Sequence, residues 1–230
     1  MRLSFTRFLK ILFSSFFIQA SWSFFSMQGM GFLFNLMAGV KKEDKDKILK
    51  SHTGFFNTHP YMSSYIIGAT IRAYDDGNKS SADIKKFITI AQTSFASTGD
   101  LLFWRTIRPV LLLLASILAI RTGILGPIMF IIVYNILHIY HRVKGIIDGY
   151  NMGADVIFLL KSKRFTTVQQ IFEVLGAFFC GLLLSLISLK INNLLLIPLT
   201  MLFILLLIKR FSSVLIIIAA ILLLIIMVAL

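Results

Sequence analysis

The apolar and polar positions divide the chain into two unlike halves. In the first, an apolar run of about thirty residues from Ile11 to Val40 is interrupted by Gln28, Asn35 and Gly29-Met30-Gly31, and the mixed-charge stretch Lys41 to Lys50 follows it. A single membrane-crossing helix needs only ~20 apolar residues, so this run is too long for one simple span. Basic residues flank it on both sides. If positive charge marks the cytoplasmic face, the chain enters and leaves on that face, which predicts a re-entrant hairpin or an interfacial helix followed by a broken one. A tilted single span with a basic loop on the wrong side is the alternative. Arg2, Arg7 and Lys10 before Ile11 to Ile18, with Ala20 and Ser21 after, imitate a secretory signal. The apolar character continues through Val40, however, and favours a retained segment.

In the second half, apolar runs alternate with short basic clusters. Leu101–Ile120, Ile124–Tyr140, Ile171–Leu189, Leu194–Ile208 and Val214–Leu230 each have the length and character of a span. The pattern predicts an all-α integral membrane protein with about five transmembrane helices, plus re-entrant or interfacial broken helices in the N-terminal half. It reads as one membrane-embedded domain over residues 1–230, with a hairpin or interfacial half at 1–100 and a transmembrane half at 101–230.

Composition agrees. A hydrophobic content of 57% and a mean hydropathy of +0.87 are more than a water-soluble core of this size can hide. The net charge of +13 could suggest nucleic acid, but the cations sit at the ends of apolar runs, which is the pattern of a membrane topology signal. That pattern excludes nucleic acid as a partner. It also orients the helices: Arg105/Arg108, His141 to Lys144, Lys161 to Arg164 and Lys209/Arg210 face the cytoplasm, Arg121 lies on the outer side, and Leu230 ends outside. Cys180, the single cysteine, lies in an apolar run and reads as a buried, inert thiol.

Two stretches interrupt the apolar pattern with groups that need partners. Gly54-Phe55-Phe56-Asn57-Thr58-His59-Pro60 places an amide, a hydroxyl and an imidazole before a proline that disfavours helix at the preceding residue. Gly99-Asp100-Leu101-Leu102-Phe103-Trp104-Arg105-Thr106-Ile107-Arg108-Pro109 puts an acid, an indole and two guanidiniums at the mouth of a span, where charge is costly. Both read as backbone breaks, and Asn57, Thr58, His59, Asp100, Trp104, Arg105 and Arg108 are the candidates for a substrate cavity or a subunit interface. The competing reading is that Asn57 caps a helix and Asp100 pairs with Arg105 or Arg108 for assembly alone.

The remaining polar groups read more plainly. Asp75-Asp76-Gly77-Asn78 is turn chemistry. Asn135, His138 and His141 recur at helical spacing as a polar stripe facing another subunit or the interface, and they lack the third and fourth ligands a metal needs. Gly145, Gly149 and Gly153 permit close helix approach or serve as hinges. No Gly-x-Ser-x-Gly, His-Glu-x-x-His, phosphate-binding loop or paired cysteine motif occurs, so neither an active site of the chain's own nor a cofactor is expected.

An ordered set of motifs resembles the IID component of mannose-class (mannose/fructose/sorbose) sugar phosphotransferase systems. It comprises Gln19-Ala20-Ser21-Trp22, Met27-Gln28-x-x-Gly31-Phe32, Phe55 to Pro60, Gly99-Asp100, Phe103-Trp104, Arg108-Pro109, Leu125-Gly126-Pro127 and Gly149-Tyr150. The chain looks like a diverged, shortened member. Ser23-Phe24-Phe25-Ser26 stands where relatives usually carry Asn-Tyr-Glu-Arg, and Leu101-Leu102 where they carry Pro-Ile. The resemblance implies a multi-pass, non-catalytic permease subunit in the bacterial cytoplasmic (inner) membrane. It would pair with the IIC subunit in a trimer of IIC–IID units, and a hexose-type sugar would be phosphorylated by IIB, itself charged by IIA. It implies no phosphohistidine among His52, His59, His138 and His141. The rival reading is a non-transporting membrane scaffold, of the kind exploited as a bacteriocin or phage receptor.

Overall fold

A computed structural model describes residues 3–188. By contacts the chain divides into two units, Met1–Phe179 and Cys180–Leu230. The spans expected at 194–208 and 214–230, and the sidedness of Lys209/Arg210 and Leu230, lie outside the described residues.

Among the described residues the regular elements are all helical, and local chemistry sets their ends. Helix α1, Phe5–Ser15, starts where the Ser4 hydroxyl accepts from the Arg7 backbone N–H, and α2 spans Gly29–Gly39. Each has 11 residues, ~16 Å or about half the hydrocarbon thickness. They run antiparallel. Arg7 donates to the Gly39 carbonyl at 2.8 and 2.6 Å, the Ser14 hydroxyl donates to Asn35 Oδ1 at 2.9 Å, and the Gly31 backbone lies against Ile18. The long first run is therefore a helical hairpin, and the tilted single span is excluded.

A 3-10 turn, Lys42–Asp44, leads into the short α3, Lys45–Ser51. Helix α4, Ser63–Asp76, closes on Gly77 at φ +67°, the left-handed conformation glycine adopts without strain. The Ser80 hydroxyl caps α5, Ser81–Gly99, by accepting from the Asp83 N–H at 3.1 Å.

Here the structure corrects the sequence reading. Gly99-Asp100 is not a turn: α5 continues as a π-helical segment, Asp100–Ile107, into α6, Arg108–Thr122. The result is a helical stretch of 42 residues, Ser81–Thr122. The widened turn lies just before Pro109, which has no N–H to give and whose ring crowds the carbonyl behind it; the Thr106 hydroxyl takes up the Leu101 carbonyl at 2.8 Å. Gly99 has ordinary helical φ and is glycine for a different reason: a Cβ there would stand 2.4 Å from His59 Cβ.

Gly123, at φ +59°, turns the chain into α7, Leu125–Met152, which returns antiparallel to α6. It runs well past Tyr140, where the sequence ends the span, and stops at Gly153 with φ +58°. A 3-10 stretch, Gly153–Lys161, leads to α8, Lys163–Ser188. Ser81–Thr122 and Lys163–Leu183 are the described stretches long and apolar enough to cross a membrane. Apolar side chains such as Ile131, Ile136, Ile171, Val174 and Phe178 are exposed along α7 and α8, as lipid-facing surfaces require. Cys180 is exposed too, not buried as its apolar surroundings suggest.

The core is built on α4, although the sequence around it is the least membrane-like. Helix α4 lies parallel to α7, with Tyr61 opposite His138, Tyr65 opposite Gly145 and Gly149, and Gly68 opposite Ile146 and Tyr150. A Cβ on Gly149 would meet the Tyr65 carbonyl at 2.2 Å, and one on Gly68 would meet that of Ile146 at 2.6 Å. Two members of the glycine repeat thus allow backbone-to-backbone packing, while Gly153 is the hinge. Asp75, read as turn material, forms an ion pair with Arg7 at 3.0 Å and accepts the Tyr150 hydroxyl at 2.7 Å, tying α1 and α7 to the end of α4. Only Asp76 behaves as a local residue, pairing with Arg72 one turn back at 2.8 Å.

Candidate functional site

Residues 54–62 leave helical geometry, as Pro60 requires, but their backbone is not left open. The stretch is stitched to the tip of the hairpin. Gln28 N–H donates to the Phe56 carbonyl at 2.8 Å, and Phe56 N–H to that of Ser26 at 3.2 Å. The Gln28 side-chain amide then does what a neighbouring strand would do: it donates to the Thr58 carbonyl at 2.9 Å and accepts from the Thr58 N–H at 3.2 Å. On the other side, Gln92 of α5 accepts from the Asn57 N–H at 3.1 Å, and its carbonyl accepts the Thr58 hydroxyl at 2.9 Å. Phe56 stacks on Phe32 with ring centroids 3.9 Å apart. Buried polar backbone is thereby satisfied at both faces. The α4 N-cap is Met62, so Asn57 does not cap that helix, and its own side chain is exposed.

The two candidate stretches do meet, at His59 and Gly99. His59 is buried, stacks on Phe103 with centroids 5.0 Å apart and lies 5.0 Å from the Trp104 ring. Burial, together with the positive charge of Arg142 and the neighbouring His141, holds its imidazole down to about 3, so it is neutral throughout the physiological range. Thr58 and His59 therefore belong to the interior. Asp100, Trp104, Arg105 and Arg108 belong to the surface: all four are exposed, and among the described residues none of the three charges makes an ion pair. Asp100 is not bonded to Arg105 or Arg108, as the simple assembly reading required.

Beneath this face is a polar centre that the sequence does not announce. Arg142, assigned there to a cytoplasmic basic cluster, is 4% exposed. Its guanidinium donates to the Ser15 carbonyl at the C-terminal end of α1 and lies over the rings of Phe16 and Tyr61, at 5.0 and 5.5 Å. No carboxylate pairs with it among the described residues. The negative end of the α1 dipole and two aromatic faces hold the charge instead.

Tyr61 is the hub of this centre, packed against His59, Phe103, Tyr134 and His138. His138 also bonds to Asn135 at 2.8 Å, and His141 approaches the Tyr65 hydroxyl at 3.3 Å. The histidine stripe of α7 thus faces inward, against α4, rather than toward another subunit or the membrane interface. Its one external group is Asn135, which is exposed. Among the described residues, the buried nitrogens His59 Nε2, His138 Nδ1 and Arg142 Nε find no hydrogen-bond partner.

The signal that could have located this centre is periodicity. His138, Arg142, Gly145 and Gly149 follow one another at four, three and four residues, one continuous face of α7, and all are buried.

Comparison with known proteins now gives the site a context. The family described as the PTS system mannose/fructose/sorbose family IID component matches residues 2–230. The mannose-specific EIID component of Escherichia coli K12 is 29% identical over 178 residues, covering 73% of this chain and 62% of the relative, so the chain spans less than two thirds of that protein's length. A solved membrane protein superposes with a TM-score of 0.74 at 22% identity, covering 96% of this chain and 95% of its own. A chain of the mannose transporter ManYZ, solved in complex with microcin E492, superposes with a TM-score of 0.61 at 23% identity, covering 96% of this chain and 94% of its own. Both likenesses establish the fold.

Proposed function

The chain belongs to the PTS mannose/fructose/sorbose family of IID components, and from that premise we propose that it works as a multi-pass, non-catalytic subunit of a sugar permease in the bacterial inner membrane. It pairs with a IIC subunit, in a trimer of such units, to pass a hexose-type sugar to the cytoplasmic face, where IIB, charged by IIA, phosphorylates it. The observation that carries the reading is the face formed by Asp100, Trp104, Arg105 and Arg108. It presents one acid and two guanidiniums that, among the described residues, have no ion-pair partners, on a helix apolar enough to cross a membrane. Charges in that setting are retained where another polar surface meets them. IIC supplies that surface, and Asn57, exposed beside the buried Thr58 and His59, extends the seam toward the sugar path.

The test is to express Asp100→Ala, Asn57→Ala and Arg105→Ala/Arg108→Ala with IIC and to measure both co-purification and sugar uptake. Loss of co-purification in the charge variants with the fold intact supports the seam. Unchanged assembly and uptake in all three sinks it.

A second reading, a membrane scaffold used as a bacteriocin receptor without transport, is favoured by one observation. Phe24 and Phe25, at the hairpin tip, are 86% and 94% exposed. The ManYZ neighbour was solved with a microcin bound. Uptake by the unaltered complex decides between the two.

A further inference from the structure

Apart from the face proposed as the IIC seam, the described residues line a half-open cavity of about 830 Å³ between α4, the π-helical segment, α7 and the start of α8. Its floor is apolar, with Leu102, Leu159, Phe165 and Phe172 among the lining side chains, and its rim carries Lys163 and Arg164. These two cations are the first residues of α8, with no acid in the first turn, so they sit at the positive end of their own helix dipole. Neither makes an ion pair among the described residues; Lys144 and the one lining carboxylate, Asp148, also border the cavity and are bonded to each other at 2.8 Å, so that acid is already matched by its own cation. The Arg164 N–H is taken up by the Ser162 hydroxyl at 3.3 Å, so the two side-chain charges and the helix dipole are what favour an anion at this rim. Beyond it, Ile171, Val174 and Phe178 leave the α8 surface open to hydrocarbon.

We propose that this cavity is a binding site for one anionic phospholipid. Its phosphate lies on Lys163, Arg164 and the α8 N-terminus, and an acyl chain fills the apolar floor. An apolar slot continuous with a lipid-facing helix and closed by a cationic rim at the helix start matches a headgroup with its chain. A small free anion would leave the apolar floor unused. An acidic protein surface would not reach into it.

The experiment uses the full chain reconstituted in phosphatidylcholine nanodiscs with and without phosphatidylglycerol. Lipid retained after detergent extraction is counted by mass spectrometry. One phosphatidylglycerol per chain is expected, in preference to phosphatidylcholine and resistant to excess inorganic phosphate. In K163Q/R164Q the apparent affinity falls about thirtyfold, the factor expected for two headgroup cations. Val168→Trp, at a partly exposed lining position, blocks the slot without altering charge and should abolish retention while helix content is preserved. Equal retention of phosphatidylcholine, displacement by inorganic phosphate, or full retention in either variant overturns the proposal. The readout is independent of transport, so it stands or falls separately from the permease reading.

Discussion

Arg142 and the pair Arg105/Arg108 are cations of one membrane chain in opposite circumstances. Arg142 is buried, and α1 and the rings of Phe16 and Tyr61 surround it; Arg105 and Arg108 are exposed and, among the described residues, unpaired. A buried charge must have its desolvation offset inside the chain, so removing it damages the fold. An exposed charge on a membrane helix places the same demand on whatever docks there, and removing it damages assembly. Under the proposed pairing with IIC, the contrast separates what the chain does for itself from what it leaves for a partner.

The sharpest way to break that contrast is Arg142→Ala. It strips the α1 end of its donor, removes two cation–π contacts and opens a void, so thermal unfolding of the chain should show a loss of about 4 kcal/mol. A variant that melts like the parent would show that the polar centre is not structural. Gly149→Ala acts on the same interior without touching charge. Its Cβ would stand 2.2 Å from the Tyr65 carbonyl, so α4 and α7 must separate, at a cost of about 3 kcal/mol in the same measurement.

The contrast can be sharpened with pH. His52, buried and bonded to the Tyr74 hydroxyl at 2.8 Å, is pushed down to about 4, first by burial and then by Lys85. Its folded value lies below the ordinary imidazole value, so between them the unfolded chain binds more protons. Stability is therefore full above about pH 6.5 and falls by on the order of 2 kcal/mol as pH drops through about 4. His59, held down further to about 3, adds a share of the same sign, so His52→Gln should reduce the slope by one proton's worth and leave the rest. A slope unchanged in this variant would show that His52 does not titrate in that range. The smallest effect on the isolated chain belongs to Arg105→Gln/Arg108→Gln. Stability should change by less than about 0.5 kcal/mol, while co-purification with IIC is lost. A large drop in intrinsic stability would place these residues with Arg142 instead.

Much of this was legible in the sequence. The all-helical membrane class, the N-terminal hairpin and the break before Pro60 follow from run length, flanking charge and proline chemistry. The failures share a cause. Gly99-Asp100 carries turn residues, but the glycine is required by His59, which lies forty positions earlier in the chain. Asp75 looks like loop chemistry because its partners, Arg7 and Tyr150, are 68 and 75 residues away. Arg142 reads as part of a cytoplasmic basic cluster because it neighbours Lys144, although its helical phase with His138, Gly145 and Gly149 carries the opposite message. Local composition carries neither the distant partner nor the face of the helix on which a residue lies, and tertiary packing is set by both.

The widened turn over Asp100–Ile107 also bears on how this helix can change length. An α-helix that loses one residue rotates everything beyond the cut by about 100° relative to what precedes it, and a packed face is turned away from its neighbour. A π turn holds a surplus residue within a single coil. Deleting one position there can tighten the coil to α geometry and leave α5 and α6 in register with their neighbours, whereas the same deletion within α5 or α6 cannot. Single-residue length variation along this rod should therefore be tolerated between Asp100 and Ile107 and rejected on either side.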